Sequence, residues 1–160
     1  MANFPRSLAL VCATIVFFAG CSQGLVHEGL PALVPCSITV MQDGRPLEDA
    51  IVTLTPKEGS TNWVVGGRTD AKGVAKIQTQ MRYPGAPAGD YKVRVAKTVT
   101  EYGTPIPSGS DLADVTPSTT FTLIPLKFDD VNATPCEITI SGSSSTATVD
   151  VGAAVREQVK

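Results

Sequence analysis

The chain has 160 residues, room for one domain of ordinary size and too few for two. With 42% hydrophobic and 18% charged residues it is too apolar for a disordered chain and too polar for a multi-span membrane protein. A formal net charge of −2 offers no basic surface for phosphates, which argues against a nucleic-acid partner.

Residues 1–7 carry Arg6 as their only charged side chain, and residues 8–19 (LALVCATIVFFA) follow as an uncharged apolar run. A spanning helix needs about 17–25 such residues, so the run reads as an export signal to be set aside from the fold. It leads into Phe18-Ala19-Gly20-Cys21, followed by Ser22. That tetrapeptide resembles the bacterial lipobox, in which a peptidase cuts before a cysteine that has received a diacylglyceryl thioether. The resemblance implies a lipoprotein signal peptide over residues 1–20 and acylation of Cys21, palmitate included, with membrane lipid as the partner. Ser22 is not the aspartate that retains enteric lipoproteins in the inner membrane, which implies a place in the cell envelope on the outer membrane. The alternative is an ordinary secretory signal with a chance cysteine. Residues 21–35 hold Gly24, Gly29, Pro31 and Pro35 with no sustained period, and are expected to be a tether. The single histidine, His27, lies on it as a solvated residue.

Of the four cysteines, Cys12 leaves with the signal and Cys21 carries lipid. Cys36 and Cys136 remain, in a compartment that permits disulfides. Each opens an alternating run (CSITV and CEITI) in phase with the apolar positions. The expectation is a Cys36–Cys136 bridge closing a loop near 100 residues, worth up to about 4.7 kcal/mol in the chain-entropy model. The alternative is two separate buried thiols. Two cysteines without a histidine or carboxylate cluster cannot complete a tetrahedral metal shell.

From Cys36 the chain reads as short strands with period-two alternation. Cys36, Ile38 and Val40 share one face, and Asp43-Gly44 is a turn. Ala50, Val52 and Leu54 are in phase up to Pro56. Residues 63–69 read as a weaker strand interrupted by Gly66-Gly67. Asp70 to Gly73 is the next turn, and residues 74–79 are a short strand. Residues 84–89 form a Pro/Gly corner, after which Tyr91, Val93 and Val95 alternate with Lys92, Arg94 and Ala96. Residues 136–140 and 146–151 are expected to pair as a terminal hairpin across 141–145, with 152–160 a loose tail. Residues 98–120 show no convincing alternation. They are expected to be a long loop, either a partner contact or a mobile excursion. This succession of strands predicts an all-β fold, a single antiparallel β-sandwich over residues 36–151.

Several segments together resemble the carboxypeptidase-regulatory-like, or transthyretin-like, β-sandwich domains. They are the stretch from Val40 to Pro56 (VMQDGRPLEDAIVTLTP), the turn Thr69-Asp70-Ala71-Lys72-Gly73, and Pro87-Ala88-Gly89-Asp90-Tyr91-Lys92-Val93. Ile124-Pro125-Leu126-Lys127-Phe128 followed by Thr134-Pro135 is similar to a subgroup of small lipoproteins abundant in planctomycete bacteria. The resemblance spans about residues 36–151. It implies seven or eight strands in a transthyretin-like or immunoglobulin-like sandwich, with a binding or accessory role and no established catalysis. Ala75 departs from the family's usual bulky aromatic, which implies a thinner core there. Tyr91 is placed to bury its ring while its hydroxyl bonds nearby backbone, as in a tyrosine corner.

An enzyme needs a nucleophile with a base, a metal, or paired carboxylates in a cleft. The mature chain offers one histidine, on the tether, and no Ser-x-x-Lys pattern. Asp129-Asp130 with Asn132 is the tightest acidic cluster, readable as a weak Ca²⁺ site or, better, as a solvated turn. The expectation is a non-catalytic envelope protein without cofactor or metal, whose partner is an unknown envelope protein. The alternative is a cell-surface carbohydrate-binding module with Trp63 as its ligand contact, although a lone tryptophan more often packs in a core.

Overall fold

The computed structural model describes residues 29–59, 63–103 and 118–159. The chain divides into two compact units, Met1–Leu30 and Pro31–Lys160, and the elements below belong to the second. Among the described residues the regular structure is all-β, in several sheets, apart from a single 3₁₀ turn at Leu126–Phe128.

The strand Cys36–Gln42 alternates as its sequence predicts, burying Cys36, Ile38 and Val40. Asp43 and Gly44 both take positive φ, 51° and 70°, the two left-handed positions of the turn that suits a two-residue hairpin. The chain then returns as Arg45–Pro46. Val74–Lys76 pairs antiparallel with the same strand, and Ser145–Asp150 pairs parallel with it, Ser145 beside Cys36 and Asp150 beside Met41.

A second sheet has six antiparallel strands in the order Glu137–Ile140, Gly89–Ala96, Ile51–Pro56, Val65–Arg68, Gln78–Thr79, Tyr83–Pro84. Gly89–Ala96 buries Tyr91, Val93 and Val95 and turns Lys92 and Arg94 outward. The run from Val74 to Thr79 serves both sheets. Its first half pairs with Cys36–Gln42 and its second half with Val65–Arg68. The glycine pair in Val65–Arg68 does not break the strand. A Cβ on Gly66 would strike the Val52 carbonyl oxygen, and one on Gly67 would lie 2.6 Å from that of Lys76. Ala75, fully buried beside Gly67, fits the same close approach.

The expected terminal hairpin does not form. Glu137–Ile140 lies at the edge of the six-stranded sheet, while Ser145–Asp150 joins the other. Residues 141–144 carry the chain across. Both strands still bury alternate residues (Ile138, Ile140, Val149), so either pairing satisfies their pattern.

Three other expectations change. The ends of the supposed loop pair with each other: Thr98–Tyr102 lies antiparallel to Ser118–Thr122, and residues 104–117 fall outside the described residues. The tail is not loose, because Glu157–Gln158 adds a third strand to that pair. Arg156 reinforces it, 4.1 Å over the Phe121 ring and 2.5 Å from Glu101. The three strands bury only Thr122, so alternation was weak. Lastly, Leu33–Val34 pairs with Ala86–Pro87, so strand pairing begins before Cys36.

The register fixes what lies at each end of the two larger sheets. Cys36, Pro56, Val65, Thr79, Gly89, Ile140 and Ser145 share one end. Leu33–Val34 lies beyond it, with Val34 opposite Ala86 and the Ser145 N–H bonded to the Pro35 carbonyl. The Asp43-Gly44 turn and Lys97 lie at the far end, where Lys97 Nζ donates to the Glu48 carbonyl.

Candidate functional site

The groove that involves Trp63 has a volume near 380 Å³ and runs along Thr53, Thr55, Pro56, Trp63 and Val64. The hairpin of Ile51–Pro56 with Val65–Arg68 shapes it. Thr53 and Thr55 alternate outward from buried Val52 and Leu54, and Thr53 faces Gly66, which has no side chain to fill the space. Trp63, the expected ligand contact, is half-buried and packs partly against the core. Its neighbour Val64 is 59% exposed. The wall is therefore an indole backed by the core, with two threonine hydroxyls and little charge. Such a surface can hold an apolar or amphipathic group, and it offers no acid or base.

Charged side chains meet elsewhere, beside the edge strand Glu137–Ile140. Lys57 Nζ lies 2.8 Å from Glu137 Oε2, and Lys92 Nζ lies 3.3 Å from Oε1. Hydrogen bonds from both lysines hold the Glu137 carboxyl below its ordinary value, and Glu137 raises Lys57. Thr139 donates its hydroxyl to Asp90. A carboxylate held ionised by two ammonium groups is a poor proton acceptor, so this cluster works as an ion-pair network. Nothing in the sequence signals the Lys57–Glu137 contact, since the partners are 80 residues apart.

The acidic cluster at Asp129 separates into two structural roles. Arg94 donates from Nε to the Asp129 carbonyl at 2.6 Å and from Nη2 to its carboxylate at 2.8 Å. Asp130 instead accepts the Asn132 N–H within its own turn. Among the described residues no group of three or more His, Cys, Asp or Glu side chains is placed to share a metal.

The Cys36–Cys136 bridge is not formed: both are free thiols, Cys36 buried and Cys136 half-buried. The two cysteines belong to different sheets. Cys36 opens the strand that runs beside Ser145–Asp150, whereas the Cys136 carbonyl accepts from the Val93 N–H at the edge of the six-stranded sheet. Burial pushes both thiols up, with a smaller opposing pull from the Thr134 hydroxyl on Cys136.

Tyr91 behaves as its position predicts. Its ring is buried and its hydroxyl donates to the Pro87 carbonyl at 2.9 Å. Asp70 likewise closes its turn, accepting the backbone N–H groups of Lys72 and Val74, which hold its carboxyl below the ordinary value. Cys21 and His27 lie outside the described residues.

Nothing in the sequence marks the loop after Gln78–Thr79. Gln80 and Met81 both adopt positive φ, 55° and 52°, without a glycine, and Met81 is 80% exposed. The Gln80 N–H bonds to the Val64 carbonyl, which sets this loop beside Trp63 and Val64. No family model, no curated protein and no solved structure matches the chain.

Proposed function

We propose that this chain is an exported, lipid-anchored protein of the bacterial cell envelope, placed on the outer membrane, with a non-catalytic structural or protein-binding role. The observation that carries the reading is Phe18-Ala19-Gly20-Cys21 behind the apolar run 8–19, which supplies an export route and a lipid site. Acyl chains on Cys21 bind a bilayer by about 0.8 kcal/mol per buried methylene, and more than one chain makes the attachment stable.

The folded part is a β-sandwich of the transthyretin-like, carboxypeptidase-regulatory-like kind. Two sheets sending alternate side chains into one apolar cluster support that architecture, as does the Val74 to Thr79 run that passes between them. The Asp43-Gly44 turn, the Asp70 turn and the Tyr91 hydroxyl bond support the family assignment. A scaffold role agrees with how its polar groups are used, in turns, ion pairs and backbone bonds. Intact-mass measurement on the protein from membranes tests the anchor. The expected species lacks residues 1–20 and carries acyl mass on Cys21; a water-soluble chain with an unmodified cysteine refutes it.

A second reading, a carbohydrate-binding module, has the groove along Trp63 and the two threonines in its favour. A glycan array with Trp63→Ala as control decides it, and absence of glycan binding by the parent chain retires it.

A further inference from the structure

The end of the sheets at which the chain arrives also carries an apolar patch. Val64 and Met81 are 59% and 80% exposed there, beside half-buried Trp63. Tyr83 follows in the edge strand, with the Arg82 guanidinium 5.6 Å from its ring centroid. Exposed apolar side chains next in sequence to a Trp and close to a Tyr, with an arginine among them, match the composition of a membrane–water interface. The backbone adds a second indication. Left-handed geometry is unfavourable for a residue that carries a Cβ, and the fold keeps it at both Gln80 and exposed Met81.

We infer that this end of the domain docks on the bilayer that holds the Cys21 anchor, with Val64 and Met81 entering the interface and Trp63 at headgroup depth. The inference rests on the lipid-anchored reading above. Chain geometry selects the occupant. Leu33 pairs with Pro87 at this same end, and only the steps from Cys21 to Leu33 separate it from the lipid, at most about 40 Å of chain. The far end, one strand of about 26 Å away, presents the Asp43-Gly44 and Asp70 turns, with half-exposed Ile51 as its large apolar side chain.

Trp63 is the only tryptophan, so its fluorescence reports this end alone. The acylated full-length protein is reconstituted into phosphatidylcholine vesicles in which part of the lipid is brominated near the top of the acyl chain. Side chains docked some 5–10 Å into the interface bring Trp63 within reach of the bromines, so its emission is expected to fall. Val64→Glu combined with Met81→Asn is expected to reverse at least half of that quenching while the protein still floats with the vesicles. A Trp63→Phe, Glu48→Trp chain, with its tryptophan at the far end, is expected to stay unquenched. A protein that floats with Trp63 unquenched, or with both ends quenched equally, overturns the orientation and leaves the anchor standing. A glycan that binds the vesicle-bound protein in a Trp63-dependent way also overturns it. A protein that does not float overturns anchor and orientation together.

Discussion

Thr134 bridges a gap in the sheet, and removing its hydroxyl should be costly. The edge strand enters its pairing through Thr134-Pro135-Cys136, where the Val93 N–H reaches the Cys136 carbonyl at 2.8 Å. The reciprocal bond, from the Cys136 N–H to the Val93 carbonyl, is replaced by a relay. The Cys136 N–H donates to Thr134 Oγ1 at 3.3 Å, and that hydroxyl donates to the Val93 carbonyl at 2.7 Å. Thr134 is buried, as is Val93, so water has little access to either. Thr134→Val keeps the shape and leaves both backbone groups without a partner. Each buried unsatisfied group costs about 1–3 kcal/mol, and half-buried Cys136 belongs at the low end, so the loss should be about 2–4 kcal/mol. With a denaturant slope near 2 kcal/mol per M, the urea midpoint should fall by about 1–2 M. Thr134→Ser keeps the relay and deletes one methyl, which costs about 1 kcal/mol. Equilibrium urea unfolding followed by Trp63 fluorescence measures all three proteins. If valine is tolerated as well as serine, the relay contributes nothing and the reasoning is wrong.

Tyr91→Phe removes the hydroxyl bond to Pro87 and should destabilise the fold by about 1 kcal/mol in the same assay; no change would deny the corner its role. Asp70 and Glu137 titrate below their ordinary values when folded, so their contribution is complete above the unfolded value near pH 4 and is lost as pH falls through the folded one. Urea midpoints should therefore drop on acidification below about pH 4, and Asp70→Asn should flatten that slope. Lys57 titrates above its ordinary value, so its share is present below about pH 10.4 and is lost as pH rises beyond that. Cys36 and Cys136, thiols raised by burial, should alkylate slowly at pH 8 in the native protein and rapidly in urea. A Cys36–Cys136 linked peptide in a non-reducing digest would refute the thiol assignment.

How much of this was readable from the sequence depends on what each strand faces. Cys36–Gln42 and Gly89–Ala96 each have one face on the core, and burial imposes the alternation that made them visible. The Asp43-Gly44 and Asp70 turns were visible because their backbone angles or side-chain bonds demand those residue types. Thr98–Tyr102 and Glu157–Gln158 are mostly exposed, so no apolar period marks them, and their pairing rests on backbone bonds the side chains do not announce. Partner choice was equally silent. Glu137–Ile140 and Ser145–Asp150 read as a hairpin because sequence nearness favours one, but their alternation is met equally well when the chain crosses between sheets.

The end of the domain bearing Trp63 shows the same limit at a candidate site. Trp63 stood out by composition alone, while its neighbourhood exists only through the pairing of Val65 with Thr79, which puts Val64 next to Gln80. The sequence from Thr79 to Tyr83 carries none of the glycine or asparagine that usually marks left-handed backbone. Two strained residues and an outward methionine therefore come into view only when the register is known. A fold selected for stability alone would favour glycine or asparagine at Gln80 and Met81, and the retained cost directs attention to the surface those residues present.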